Sequence, residues 1–140
     1  MGILYIFIGG AFGALLRFII LSFFNTYPVN VIGVLAVNML GCFIIGFVTY
    51  LGIKRHHIIS KELKNALTVG FAGGFTTFSA FTHPVLEMFL RHHYIYALIN
   101  MFLSVILGLI FVSWGMNCGY YLMNWLIRTR RLSLRQEQYD

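Results

Sequence analysis

The polar chemistry of this chain is concentrated in one stretch, GFAGGFTTFSAF, Gly70 to Phe81, which mixes glycines, hydroxyls and aromatic rings inside a long apolar region. Glycine costs about 1 kcal/mol relative to alanine in a helix, and threonine loses rotamer freedom there. The stretch therefore predicts a helix broken near its centre. Irregular backbone at membrane depth is tolerated only where protein buries it or it lines a watery cavity. Broken helices expose carbonyls and amides, and transporters and channels use such breaks to hold ions. The stretch reads as an ion site, with Gly73 and Gly74 free to turn carbonyls inward and the residues beyond them offering amides and hydroxyls. Phe78 and Phe81 stand three apart, neighbours on whatever helix resumes after the break. A phenyl ring has a positive edge, so such a pair can face an anion without carrying charge. Taken alone, the pair would be core packing.

Three other polar features lie inside apolar sequence. Arg17 is the charged residue of GGAFGALLRFII. An arginine at a helix centre costs about 2.5 to 3.5 kcal/mol on insertion scales, so it either lines a vestibule or snorkels to the interface. Asn38, in GVLAVNMLGCFIIG, has Gly33, Gly41 and Gly46 around it, small residues that let helices approach closely. Its amide needs partners or water in hydrocarbon, so it either joins helices or lines a polar path. Tyr96, Asn100, Ser104 and Gly108 recur every four residues and share one helix face, a stripe that suits interhelical hydrogen bonding or a polar track.

These residues need a membrane frame to position them. The chain is 59% hydrophobic and 10% charged, against about 25% charged in an ordinary soluble domain. Segments near Ile3 to Phe24, Val29 to Ile53, Leu63 to Leu90 and Tyr94 to Asn124 each reach the roughly 20 apolar residues that cross a bilayer. The expected fold is an all-α membrane protein with four transmembrane helices, the third broken. Residues 1–127 form the transmembrane domain and 128–140 a basic tail. Cys42 and Cys118 show no metal or disulfide spacing and read as packing residues. His56, His57, His92 and His93 fall in connectors with no nucleophile or carboxylate at a telling distance, so no enzyme is indicated. No basic stretch precedes the first apolar run, so a cleaved signal peptide is not expected. The net charge of +6 lies between and after the apolar segments, not on one soluble face as nucleic-acid binding requires.

At these residues the chain resembles the CrcB/Fluc fluoride ion channels. The resemblance runs through GGAFGALLRF, NVIGVLAVNMLGCFIIG, GFAGGFTTFSAF and the Tyr96, Asn100, Ser104 stripe, with the GGFTTFS core and the upstream asparagine its most specific part. It implies an antiparallel dimer with two pores, each built from both chains, and a structural sodium ion at the centre. It further implies that Phe78 and Phe81 are the paired pore rings, that Asn38 donates its amide to fluoride, and that Ser79 is a neighbouring hydroxyl. Tyr96, Asn100 and Ser104 would be the polar track, Arg17 a vestibule arginine, and the carbonyls of Gly73 and Thr76 the sodium ligands. Fluoride is small and strongly hydrated, and amide, hydroxyl and ring-edge donors suit the replacement of its water, while several weak sites permit exit. The chain departs from the family pattern at Val34, where a threonine is frequent. It departs again at Thr82, His83 and Pro84, where a serine and a glutamate are frequent; Glu87 lies one turn on. The resemblance implies export of cytoplasmic fluoride across the cell membrane, which relieves its toxicity.

With four spans, Lys54, Arg55, Lys61, Lys64, Arg128, Arg130, Arg131 and Arg135 fall on one side and Arg91 on the other. Positively charged loops stay in the cytoplasm, so both termini are expected inside, in one fixed orientation. An antiparallel dimer of so biased a chain is expected to need an oppositely oriented homologous subunit. The basic tail could also rest on anionic membrane lipid, beyond serving as a topology signal. Two rivals are a non-conducting structural subunit and a small proton-coupled multidrug exporter. The exporter needs an intramembrane carboxylate, and none of Glu62, Glu87, Glu137 or Asp140 lies at mid-span.

Overall fold

The computed structural model describes residues 2–24, 31–54 and 59–136, with backbone alone at 53, 54 and 130–136. Arg55, His56, His57, Glu137 and Asp140 lie outside the described residues, as do the side chains of Lys54, Arg130, Arg131 and Arg135. All regular structure among the described residues is helical. The chain runs α1 (Gly2–Phe23), α2 (Val31–Lys54), α3 (Lys61–Asn65), a π-helical segment (Ala66–Ala72), α4 (Gly73–Phe75), α5 (Ser79–Leu90) and α6 (Tyr94–Gln136). Three of these helices, α1, α2 and α6, are long and apolar enough to cross a membrane. The third apolar segment of the sequence is instead divided among α3, the π-helical segment, α4 and α5.

Glycines set how closely the helices meet. A Cβ at Gly13 would run into the Phe71 carbonyl, and one at Gly74 into the Gly10 carbonyl, so α1 lies backbone to backbone on the segment that leads to α4. Gly46 meets the Val112 carbonyl and Gly115 the Phe43 carbonyl in the same way, which joins α2 to α6. Small residues permit such approach where lipid supplies no hydrophobic drive between helices. Gly9 faces Ala66 and Phe71 while Gly13 faces Phe71 and Phe75, so α1 runs parallel to the third segment. Gly108 faces Met39 and Cys42 while Gly119 faces Phe47 and Tyr50, so α6 runs parallel to α2. The starts of α1 and α3 and the ends of α2 and α6 therefore share one end of the bundle, where Lys61, Lys64 and Arg128 sit. Arg91 is at the other end.

The core follows α2, whose Val34, Val37, Met39, Val48 and Leu51 are buried together with Ala72, Phe75 and Ala97. Gly13 is the buried residue of α1. Most of the apolar surface of α1 and α6 faces outward. Because α6 has 43 residues, it is about 64 Å long, roughly twice the hydrocarbon thickness. The helix does not end near Asn124 but continues to Gln136, so residues 128–136 prolong it. Between Tyr94 and Gln136 the last glycine is Gly119 and no proline intervenes, while arginine, leucine and glutamine sustain a helix.

α5 and α6 are joined by a tight reversal. His92 takes φ 61°, and the His93 and His92 amides donate to the Met88 and Phe89 carbonyls at 2.8 and 3.0 Å. This Schellman closure satisfies carbonyls that the end of α5 would leave open. Arg91 reinforces it by pairing with Glu87 at 2.6 Å.

Candidate functional site

The site is built where α4 stops and α5 begins. Gly73 is itself helical, at φ −65° and ψ −38°, and the break falls at Thr76, which is extended at φ −75° and ψ 157°. Gly73 and Gly74 therefore do not make the break. Gly74 is spent on close approach to Gly10, and a Cβ on Gly73 would meet nothing within 4 Å, which leaves that position open on the outer surface.

What makes the break is hydrogen bonding from elsewhere. The Thr77 amide donates to Asn38 Oδ1 at 2.9 Å, and Asn38 Nδ2 donates to the Thr77 carbonyl at 3.2 Å. In an uninterrupted α-helix the Thr77 amide would serve the Gly73 carbonyl; here it serves α2. The Ala80 amide, which would serve the Thr76 carbonyl, donates instead to Thr77 Oγ1 at 3.2 Å. Thr77 thereby caps α5 from two residues ahead of it, since Phe78, which directly precedes the helix, gives no side-chain bond to it. Of the two paths open to Asn38, joining helices is realised, and one amide hydrogen is left over. The carbonyls of Gly73 and Thr76 lose their usual helical donors, which is the condition a pair of backbone cation ligands must meet.

Phe78 and Phe81 stand on the far side of the break with ring centroids 6.0 Å apart and planes at 41°. Phe78 is 77% exposed. Both rings line an open concavity of about 370 Å³ with Asn38, Cys42, Thr77 and Ser104. Ser104 donates to Asn100 Oδ1 at 3.3 Å, so these two members of the stripe form one polar pair on α6. Tyr96 is 66% exposed and sets its ring edge-on to His93, 6.0 Å away. It is not among the residues that line the concavity.

Arg17 and Ser79 are brought together in a second concavity of about 460 Å³ with Phe18, Ser22, Thr77 and Ala80. Thr77 lines both spaces. Nothing among the described residues gives Arg17 a hydrogen bond or an ion pair, and its charge stands open to this space. The departures from the family pattern also find places. Val34 is buried in the core, Pro84 is buried within α5 and His83 is exposed. Glu87 is engaged by Arg91. Among the described residues no cluster of three or more His, Cys, Asp or Glu could hold a metal ion.

The sequence named Thr76 and passed over Thr77, although both stand in GGFTTFS. The signal available was residue type, since a threonine shortly ahead of a helix can accept one of its first amides. Cys42, one turn on from Asn38, lines the ring concavity as well as packing near Gly108.

Residues 4–116 match the family described as CrcB-like protein, Camphor Resistance (CrcB). Over 121 residues the chain is 41% identical to the fluoride-specific ion channel FluC 1 of Staphylococcus aureus (strain bovine RF122 / ET3-1), which spans 85% of this chain and 97% of that protein. Over 119 residues it is 38% identical to the fluoride-specific ion channel FluC 2 of Staphylococcus saprophyticus, with the same shares covered. A FluC 1 of Staphylococcus epidermidis is 38% identical over 122 residues, again across 85% of this chain and 97% of that protein.

Proposed function

The chain belongs to the CrcB family, and from that membership we propose that it is a fluoride-selective ion channel that carries fluoride out of the cytoplasm and so limits its toxicity. The observation that carries the reading is the meeting of Asn38, Phe78, Phe81 and Ser104 around one concavity at a helix break. Amide, hydroxyl and ring-edge groups can replace the water of a small anion without a fixed charge that would trap it. In this reading the divided segment from Lys61 to Leu90 also crosses the membrane, as the third of four spans, broken near its middle. Both termini lie in the cytoplasm, and the protein is a multi-pass component of the cell membrane.

The site is too open to select an ion by itself. At about 30 Å³ per water, a concavity of about 370 Å³ holds roughly a dozen waters. A second surface must narrow it. The outward apolar faces of α1 and α6 supply area for that contact, and we assign it to a second, antiparallel subunit that brings its own rings and stripe. The charge bias of the loops favours an oppositely oriented homologous chain as that subunit, and the names FluC 1 and FluC 2 among the relatives accord with paired genes. The Gly73 and Thr76 carbonyls fit a structural sodium ion, because their helical donors are diverted and Gly73 faces outward. When bound, the ion would hold the two breaks together as an oxygen-ligated charge.

The exporter reading is not favoured, since Glu87 is tied to Arg91 at the end of α5. The structural-subunit reading has no observation in its favour. Expression in a bacterial strain that lacks its own fluoride channel tests the function. Growth at raised fluoride should return, alone or with a co-expressed homologue, and sensitivity unchanged in both cases would contradict the proposal.

A further inference from the structure

Thr77 is buried, 6% exposed, and its hydroxyl has a use beyond capping α5. Its oxygen accepts the Ala80 amide at 3.2 Å and lies 3.2 Å from Ser79 Oγ. A hydroxyl has one proton to give. Among the described residues the acceptor within reach of the Thr77 proton is Ser79 Oγ. Distance alone allows either oxygen to donate, but Thr77 is the more buried of the two and Ser79, exposed, can turn its own proton to open space, so donation from Thr77 is the less costly arrangement. The chain of donation therefore runs from the Ala80 amide to Thr77, and from Thr77 to Ser79.

The consequence falls on Ser79, which is exposed and lines the concavity that holds Arg17. With its oxygen occupied by Thr77, its own proton is left to point away, into that space. The other hydroxyl there, on Ser22, is already committed, donating to the Phe18 carbonyl at 2.8 Å. We infer that Thr77 is a positioning residue that orients the Ser79 hydroxyl as an anion donor facing Arg17, a role that rests on the conduction reading above. Asn38 fixes the base of this relay by holding the Thr77 backbone at both its N–H and its carbonyl. Successive donors polarise one another, so Ser79 is a better donor than a lone serine.

The test is fluoride efflux from liposomes holding the full chain, alone or with the homologue that it requires. Thr77→Val keeps the shape and both backbone bonds to Asn38 but removes the hydroxyl. It should slow efflux about tenfold or more, the scale of one hydrogen bond to a charged group, and Thr77→Ser should restore it. Adding Thr77→Val to Ser79→Ala should change nothing further, because Thr77 acts through Ser79; a merely structural role would multiply the two losses. Thr77→Ala serves the same comparison if the valine variant does not assemble. An active wild type whose Thr77→Val variant is equally active, or losses that multiply, would overturn the relay alone. A wild type silent toward fluoride in both preparations would remove the conduction reading and the relay with it.

Discussion

Asn38 and Thr77, 39 residues apart in sequence, are joined by two hydrogen bonds, 2.9 Å from the Thr77 amide to Oδ1 and 3.2 Å from Nδ2 to the Thr77 carbonyl. This pairing takes from the third segment the amide that would have continued its helix. One side chain on α2 thereby creates the break, frees the Gly73 carbonyl and sets Phe78 at the edge of the concavity.

Removing Asn38 should be felt first in folding. In Asn38→Ala the Thr77 amide and carbonyl are left unpaired in a part-buried site, at about 1 to 3 kcal/mol each. Thermal unfolding in detergent should show a lower midpoint and fluoride efflux should be lost. A variant as stable as wild type would mean that the helix break does not depend on this pair.

The two adjacent glycines should behave in opposite ways. Gly74→Ala places a Cβ against the Gly10 carbonyl, where backbone has to move, and overpacking of this kind costs about 1 to 3 kcal/mol or more. Gly73→Ala meets nothing within 4 Å and gains helix propensity of about 1 kcal/mol, so the single chain should fold unimpaired. Its effect belongs to assembly and to sodium. Size-exclusion chromatography should show Gly73→Ala folded with weakened pairing and a smaller stabilisation by sodium. Normal pairing and a normal sodium response would place the subunit contact elsewhere.

At the α5–α6 reversal, His92 sits at φ 61°, a conformation that costs an L residue about 1 to 2 kcal/mol and glycine almost nothing. The ring recovers part of this through a 2.8 Å bond between Nδ1 and the Tyr94 hydroxyl. His92→Gly should therefore match or modestly exceed the wild type in melting temperature, whereas His92→Val should fall clearly below both. The reverse ranking in a calorimetric scan would contradict the Schellman closure.

The parallel pairing of α1 with the third segment, and of α2 with α6, collects the basic ends at one pole. Fusions of an inside reporter and an outside reporter to the C-terminus should therefore report the cytoplasm alone. A roughly equal split between the two would sink the fixed orientation, and with it the need for an oppositely biased partner.

How far the sequence reached depends on the range of the interactions involved. The long helices, the importance of Asn38 and the disturbance in Gly70 to Phe81 were legible because composition and periodicity act locally. The position of the break was not. Glycine suggests a turn wherever it occurs, yet Gly74 serves packing against α1, and the chain turns at Thr76 because an asparagine on another helix claims the next amide. The π-helical segment from Ala66 to Ala72 left no sequence signature either. Apolar character marked where α6 leaves hydrocarbon but not where it stops being a helix, since those are set by different properties of the side chains. Tyr96 belongs to the stripe by spacing, but in the single chain it turns to His93. A residue whose role is completed by a second subunit cannot be placed from one chain.

The most direct measurement is fluoride efflux from liposomes that contain the purified protein, with chloride efflux as the control and Phe78→Ile alongside, alone and with a co-expressed homologue. Selective fluoride efflux that Phe78→Ile abolishes, with chloride retained throughout, is the predicted result. Efflux of both halides at similar rates, or undiminished fluoride efflux in the variant, would contradict a fluoride path past the ring pair.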